Sequence, residues 1–308
     1  MDHQPEKELP FISIVIPTFN RASFLSRCVG SLLELDYPQG KFEIIIINDG
    51  STDATQTVLF NNFGTQNGKI KYFLNGKNEG AAASRNSGFR RAQGELIVSL
   101  DDDCLVERSW LRDLVGTFSR FPYASAVGGS VVNPTQTRLA QSSHIIEFSS
   151  WLPIGKARPV KNIPTCNIAY RKADINGFSF PEELKGSVYE DTLFNYNLFC
   201  SGRVIIFDPK IKIYHYKWAE GFTKKDFYDS QARFATGFLK GGYKAHGLSG
   251  VILMKFRALN LLCLRLILVF FRCLRSKFYL RQFIRNFRLI LGGEWARNKI
   301  IYLGLSPG

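Results

Sequence analysis

Glu95-Leu96-Ile97-Val98-Ser99-Leu100 runs straight into Asp101-Asp102-Asp103. The run is apolar enough for a strand buried on both faces, and the three carboxylates that end it repel one another. So many like charges in one place favour a cation as counter-charge. In an open α/β sheet, ligands bind just beyond the carboxyl ends of the strands. A hard divalent cation bridging to phosphate oxygens would account for acids placed there. A solvated turn would explain a lone Asp-Asp-Asp as well. The preceding hundred residues weigh against it.

Upstream, Phe11 to Ile16 is a β-rich run ended by Pro17. Phe24, Leu25, Cys28, Leu32 and Leu35 fall at helical spacing between Arg21 and Leu35. Phe42 to Ile47 reads as a second buried strand, and Asp49-Gly-Ser-Thr-Asp53 as a turn with helix-capping residues. A helix to Phe63, a strand Ile70–Leu74 and a helix Gly80–Ala92 follow. Strand and helix alternate four times, which predicts an α/β chain with a doubly wound, mostly parallel sheet. Beyond Asp103 the sequence predicts a helix near Ser109–Phe121 and a strand Ala124–Val132. An irregular stretch to Pro164 then reads as a binding loop or lid. Cys166–Arg171, a helix Glu190–Ser201, and strands Arg203–Phe207 and Ile211–Tyr216 complete the body.

The 308 residues suffice for a full core, and 45% apolar with 21% charged content excludes wholesale disorder. Charge is unevenly spread. Residues 222–308 hold 16 Lys/Arg and 3 Asp/Glu, a net +13 of the chain's +14, leaving residues 1–221 near neutral. The six cysteines show no Cys-x-x-Cys pair, which suits reduced thiols in a cytosolic setting, and the polar N-terminus lacks an apolar signal core.

Taken in order, these segments resemble family 2 of the nucleotide-sugar-dependent glycosyltransferases, which has the GT-A fold. The resemblance rests on Ser13-Ile-Val-Ile-Pro-Thr-Phe-Asn-Arg21, Ile47-Asn-Asp-Gly-Ser-Thr-Asp53, Asn78-Glu-Gly80 through Ser84-Arg-Asn-Ser-Gly88, and Leu100-Asp-Asp-Asp103. Cys166-Asn-Ile-Ala-Tyr-Arg171, Tyr189-Glu-Asp-Thr192 and Ile213-Tyr-His215 extend it over roughly the first 220 residues. It implies a donor-binding half at 1–115, an acceptor and catalytic-base half at 116–221, and a basic helical extension at 222–308.

On the donor side the resemblance puts base and ribose against Pro17, Thr18, Phe19, Asn20 and Arg21. Asp49 suits a ring N–H of the base, or equally an Asx-turn or helix cap. Arg85 offers a planar fork to diphosphate oxygens, or lies on a solvated helix face. The family's Asp-x-Asp maps onto Asp101 and Asp103. Asp103 is then the direct ligand of Mg²⁺ or Mn²⁺, and Asp101 the contact to ribose or to metal through water. Asp102, grouped with the donor contacts, points into the sheet edge or solvent. His215 is a late metal or diphosphate contact, or a satisfied structural histidine.

On the acceptor side the resemblance makes Asp191 the general base, with Asn167, Glu190 and Trp218 nearby; a plain helix cap is the alternative for the acidic pair. One base and no second carboxylate poised as nucleophile implies single displacement with inversion. Departures exist. Leu193 and Asn197 stand where members often carry an acid and an arginine, so acceptor recognition does not transfer. Ser230-Gln-Ala-Arg-Phe234 only approximates the Gln-x-x-Arg-Trp of processive relatives, which makes a polysaccharide synthase subunit the lesser reading. A nucleotidyltransferase acting on sugar phosphates would want glycines after the first strand, where Pro17-Thr-Phe-Asn-Arg-Ala22 has none. A non-catalytic sugar-nucleotide-binding protein at a membrane surface is disfavoured by intact Asp101, Asp103 and Asp191.

In residues 249–291, Ala258–Phe271 is apolar except for Arg265, short of the roughly 20 residues of a membrane span. At about 100° per residue, Arg257, Arg265, Arg272 and Arg275 share one arc, as do Lys277, Arg281, Arg285 and Arg288. Helices lying on an anionic membrane, at its cytoplasmic face, fit that pattern; helices packed on the body or a shallow hairpin are the alternatives. Nucleic acid ranks last, because no binding motif accompanies the charge. The expected partners are therefore a nucleotide-sugar donor, UDP-linked for preference, a lipid-linked or glycan acceptor, and that membrane surface.

Overall fold

The computed structural model describes residues 9–64, 68–185, 189–217, 222–233, 235–236 and 266–303. Strands β1 (Ile12–Thr18), β2 (Phe42–Asn48), β3 (Ile70–Leu74) and β4 (Leu96–Ser99) are parallel, in the order β3-β2-β1-β4. Helices α1 (Ala22–Leu33), α2 (Thr55–Phe63) and α3 (Ala81–Arg91) connect them. Past β5 (Cys104–Val106) and α4 (Trp110–Arg120), the same nine-stranded sheet continues through β6 (Ala126–Val132), β7 (Arg158–Val160), β8 (Ile168–Arg171) and β9 (Ile205–His215). β8 runs antiparallel to β4 and β6, β6 is parallel to β9, and β5 and β7 each pair antiparallel with β9.

The continuous apolar runs follow from two buried faces. Ile12, Ile14 and Ile16 of β1 and Ile44 and Ile46 of β2 pack with Leu25, Cys28, Val29 and Leu32 of α1. Val15, Ile45 and Ile47 point the other way, into a second cluster with Ala82 of α3 and with Phe194 and Leu198 of α6 (Glu190–Cys200). The doubly wound expectation therefore holds. α3 lies so close to β1 that a Cβ on Gly88 would collide with Val15 Cγ1, and Val15 is fully buried. Gly88→Ala gains ~1 kcal/mol of helix propensity but overpacks a rigid contact at about 1–3 kcal/mol or more. A net loss of about 2 kcal/mol, read as a lower urea midpoint, is expected.

Two sequence expectations need correction. The stretch expected to be irregular contains α5 (Arg138–Phe148), capped by the Thr137 hydroxyl on the Ala140 N–H at 3.2 Å, as well as β7. The two strands expected at 203–216 are one, β9, whose register against β6 shifts between Gly129 and Ser130. Among the described residues, the five cysteines Cys28, Cys104, Cys166, Cys200 and Cys273 are free.

The described part of the basic extension packs on the body. Helical residues 224–233 and 266–273 and the helix α7 (Lys277–Leu303) surround α5. Phe227, Val269, Cys273, Tyr279, Phe283 and Ile290 join Ile145 and Ile146 of α5 in a third core cluster. The buried stripe of α7 is therefore ordinary core, as one of the alternatives had it. Phe278, Ile284, Phe287, Leu291 and Trp295 remain exposed beside Lys277, Arg281, Arg285 and Arg288. No helix among the described residues is long and apolar enough to cross a membrane. Residues 249–265, part of the segment expected to touch membrane, lie outside the described residues, as does Trp218.

Candidate active site

The acids that follow β4 occupy three environments. Asp101 remains part-exposed and accepts a hydrogen bond from Arg85 Nη2 at 2.8 Å. Asp102 is buried, contrary to a solvent-facing placement; it accepts from Thr18 Oγ1 at 2.7 Å and pairs with Arg21 Nη1 at 3.3 Å. Asp103 is buried between Arg21 Nη1 at 2.5 Å and His215 Nε2 at 2.9 Å. Burial raises the Asp102 pKa, against the pull of Arg21. Burial acts the same way on Asp103, but His215 and Arg21 together outweigh it and hold that carboxyl below the usual range.

His215 reaches Asp103 because β5 pairs antiparallel with β9, which puts Cys104 opposite His215. Asp103, Cys104 and His215 each present a ligand atom within 4.8 Å of the others. Burial pushes the Cys104 thiol well above its usual pKa, and sulfur is a softer donor than Mg²⁺ or Mn²⁺ favours. That leaves a carboxylate oxygen and an imidazole nitrogen, with Asp101 alongside. Such an oxygen–nitrogen donor set fits a divalent cation of the Mg²⁺ or Mn²⁺ kind that keeps open positions for phosphate oxygens.

The segment 17–21 that leaves β1 is pinned to the loop after β2. Asn20, at φ 53°, accepts from the Thr52 N–H at 2.8 Å, and its own N–H donates to Ser51 Oγ at 2.9 Å. Phe19 is exposed at the mouth of this loop, and Pro17 is half-buried. Asp49 is buried and accepts from Asn75 Nδ2 and the Glu79 N–H, both at 2.9 Å, and from the Gly80 N–H at 2.8 Å. It therefore shapes the entry to α3 and caps nothing on α2. Gly80 makes that entry at φ 98°, a conformation that side-chain-bearing residues rarely adopt.

Arg85 does not lie on a solvated helix face. It is buried on α3, with Nη2 on Asp101 and Nη1 on Glu190 Oε1 at 3.0 Å. One guanidinium thus joins the acid cluster to the first residue of α6. Asp191 follows at once, accepting from the Thr192 N–H at 2.6 Å and the Thr165 N–H at 3.4 Å. Burial raises the pKa of Asp191, opposed by the Arg85 charge. Burial likewise pushes Glu190 up to about 7. Asn167 is fully buried, bridging Trp110 Nε1 at 2.9 Å and the Ser130 carbonyl at 3.0 Å, which is structural work within the core.

Several contributors escaped the sequence reading. For Thr18, a donor-side candidate, what escaped was its hydroxyl's hold on Asp102. Glu147 of α5 accepts from Ser143 Oγ at 2.9 Å, Lys217 Nζ at 2.6 Å and Ser230 Oγ at 3.2 Å, tying the segment after His215 to the helix 224–233. Phe148, next along α5, packs edge-on against His215 at 5.5 Å. Only a correct placement of α5 would have exposed either residue.

Residues 13–180 match the sequence model of Glycosyl transferase family 2. A GalNAc(5)-diNAcBac-PP-undecaprenol beta-1,3-glucosyltransferase of Campylobacter jejuni is 36% identical over 96 residues, 31% of this chain and 30% of that protein. The poly(ribitol-phosphate) beta-N-acetylglucosaminyltransferase TarS of Staphylococcus aureus is 25% identical over 237 residues, 74% of this chain and 40% of TarS. The structure of TarS 1-349 in complex with UDP-GlcNAc aligns with a TM-score of 0.54 at 21% identity, over 74% of this chain and 66% of that one. Mannosyltransferase PcManGT from Pyrobaculum calidifontis, in complex with GDP-Man and Mn²⁺, aligns with a TM-score of 0.63 at 18% identity, over 96% and 88%. At these identities the solved structures speak to the fold alone. The chain spans half or less of the length of the curated relatives it matches.

Proposed function

The chain belongs to glycosyl transferase family 2, and on that premise we propose that it moves a single sugar, with inversion, from a UDP-linked donor to an acceptor hydroxyl. The acceptor is lipid-linked or a polysaccharide under assembly, at the cytoplasmic membrane face. The observation that carries this reading is the Arg85 tie, which sets the helix bearing Asp191 one guanidinium away from the acids after β4.

In this reading Asp103 and His215 hold the divalent cation, with Asp101 beside them. When bound, that ion neutralises charge on the departing diphosphate. Phe19 and the pinned 17–21 loop receive the nucleotide. Asp191 takes the proton from the acceptor hydroxyl as its oxygen attacks the anomeric carbon. Its pKa, raised by burial, strengthens it as a base. The acceptor class is supported by the undecaprenol- and polymer-directed names of the Campylobacter and Staphylococcus relatives. It is supported too by the exposed aromatics beside the basic arc of α7. Residues 1–115, 116–221 and 222–308 then serve as donor half, acceptor half and membrane-facing extension.

A donor panel with Mn²⁺ or Mg²⁺ tests the proposal. The expected products are free nucleoside diphosphate and a sugar of opposite anomeric configuration by NMR. Consumption of added pyrophosphate, giving nucleoside triphosphate and sugar 1-phosphate, would instead mark a nucleotidyltransferase, and retained configuration would remove the single-displacement mechanism. Flotation with anionic vesicles tests the membrane part; a protein that stays at the bottom of the gradient rejects it.

A further inference from the structure

Arg158 opens β7, and Arg275 sits in the turn between helical residues 266–273 and α7. The two side chains converge on one short stretch of chain. Arg275 Nη1 comes within 4.0 Å of where a Cβ on Gly155 would stand, three residues before Arg158. Arg158 Nη2 donates to the Ser150 carbonyl at 3.2 Å, and its guanidinium carbon lies 4.6 Å from the Phe207 ring centroid. Both partners are neutral. Among the described residues neither arginine forms an ion pair with a carboxylate. Burial, and after it the charge of Arg275, lower the pKa of Arg158. Two like charges held close without a counter-ion are destabilising unless an anion joins them.

The same stretch leads to the reacting centre. Asn162 Nδ2 donates to Thr192 Oγ1 at 3.2 Å, and the Thr165 N–H to Asp191 at 3.4 Å. Asn162 lies four positions after Arg158, at most about 14 Å of extended chain. On the outer side Phe271, Leu274 and Phe278 are exposed, flanking Arg275 in sequence. Arg158 is thus linked by a short stretch of chain to residues that contact α6 and the general base, and Arg275 is flanked in sequence by exposed apolar residues.

We propose that Arg158 and Arg275 bind the phosphate of a lipid-linked acceptor, with Phe271, Leu274 and Phe278 against its hydrocarbon chain. This rests on the glycosyltransferase reading above and names the acceptor's anchoring group. A guanidinium fork suits phosphate oxygens, and the ring of Phe207 holds Arg158 in place without consuming its charge. Bilayer phosphate has the same chemistry, so the experiment separates the two sources.

The probe is farnesyl diphosphate, titrated into the full chain in EDTA by calorimetry so that no divalent ion recruits it to Asp103. Wild type should bind it more tightly than inorganic pyrophosphate or farnesol. Arg158→Gln with Arg275→Gln should weaken it about a hundredfold, roughly tenfold for each lost charge-assisted contact. UDP binding with Mn²⁺ should be unchanged. Should the double variant misfold, Arg275→Gln alone, at an exposed position, carries the tenfold expectation. Wild-type affinity in the variants overturns the proposal, and so does equal binding of farnesol and farnesyl diphosphate. Lost flotation on phosphatidylglycerol vesicles with farnesyl diphosphate binding intact reassigns the pair to the bilayer and also overturns it. Binding is read without turnover, so any of these results leaves the sugar-transfer assignment standing. Conversely, transfer to soluble glycans only would end the lipid-linked reading through the donor assay.

Discussion

Asp191→Asn is expected to lower kcat by about a thousandfold while the Kd for donor with Mn²⁺ stays within about twofold. General-base contributions run to about 10²–10⁴, and a thousandfold loss is the middle of that range. Asparagine keeps the volume, and its amide oxygen can still accept from the Thr192 N–H at the start of α6, at the cost of the longer 3.4 Å contact from the Thr165 N–H. The pH profile supplies a second readout. Because burial raises the Asp191 pKa, the ionised base is lost as pH falls through a value above the range of an exposed aspartate. The acid limb of kcat/KM should therefore lie higher than such a residue would give, and the residual activity of Asp191→Asn should lack it. Glu190, pushed up to about 7, protonates in the same direction and loosens its hold on Arg85 as it does so. Full activity in Asp191→Asn would remove the general base from the scheme.

What the sequence disclosed, it disclosed through periodicity and position. Ile12 to Ile16 and Phe42 to Ile47 are apolar at every step except Ser13 and Glu43, and both faces of their sheet are covered. α5 stayed hidden for the opposite reason. Gln141, Ser142, Ser143 and His144 are buried along with Ile145 and Ile146, so no apolar stripe marks the helix. Its polar side is satisfied by other elements, as when Asn286 of α7 donates to Gln141 Oε1 at 3.0 Å. A one-dimensional pattern carries no trace of such long-range pairing. The same limit applies at the site. Asp103 and His215 were each legible as candidates, but their meeting depends on the β5–β9 register across more than a hundred residues. Arg85 was legible as a cation on offer to phosphate oxygens, and its burial between two carboxylates was not. Asp102 and Asp103 differ by one position, yet burial raises the pKa of the first while His215 and Arg21 lower that of the second, which only their three-dimensional placement decides.

Asp103→Asn should abolish metal-dependent donor binding, with kcat/KM falling by about a thousandfold. Neutralising the leaving diphosphate is worth several kcal/mol, and about 4 kcal/mol corresponds to that factor. Asparagine is the informative substitution because alanine would open a cavity beside Arg21 and His215, both of which contact this carboxylate. The variant removes one negative charge from a cluster in which Asp101 and Asp102 keep Arg85 and Arg21 as partners. Its fold should therefore persist, with thermal unfolding as the control. Calorimetry with UDP is the direct measurement: the wild type should gain affinity on adding Mn²⁺ and lose it with EDTA, while the variant should show no difference between the two. His215→Ala should fall between them, since it removes one ligand and the edge-on packing of Phe148 but leaves the carboxylate. If Asp103→Asn retains the Mn²⁺-dependent gain, the cation is held elsewhere, and Asp101 becomes the acid to test. The order of the two effects discriminates as well. An Asp103 variant that cannot hold donor should fail in binding, whereas the Asp191 variant should bind and fail only in transfer. A chain in which both variants lose donor affinity equally would not divide its site between a leaving-group side and an attacking side.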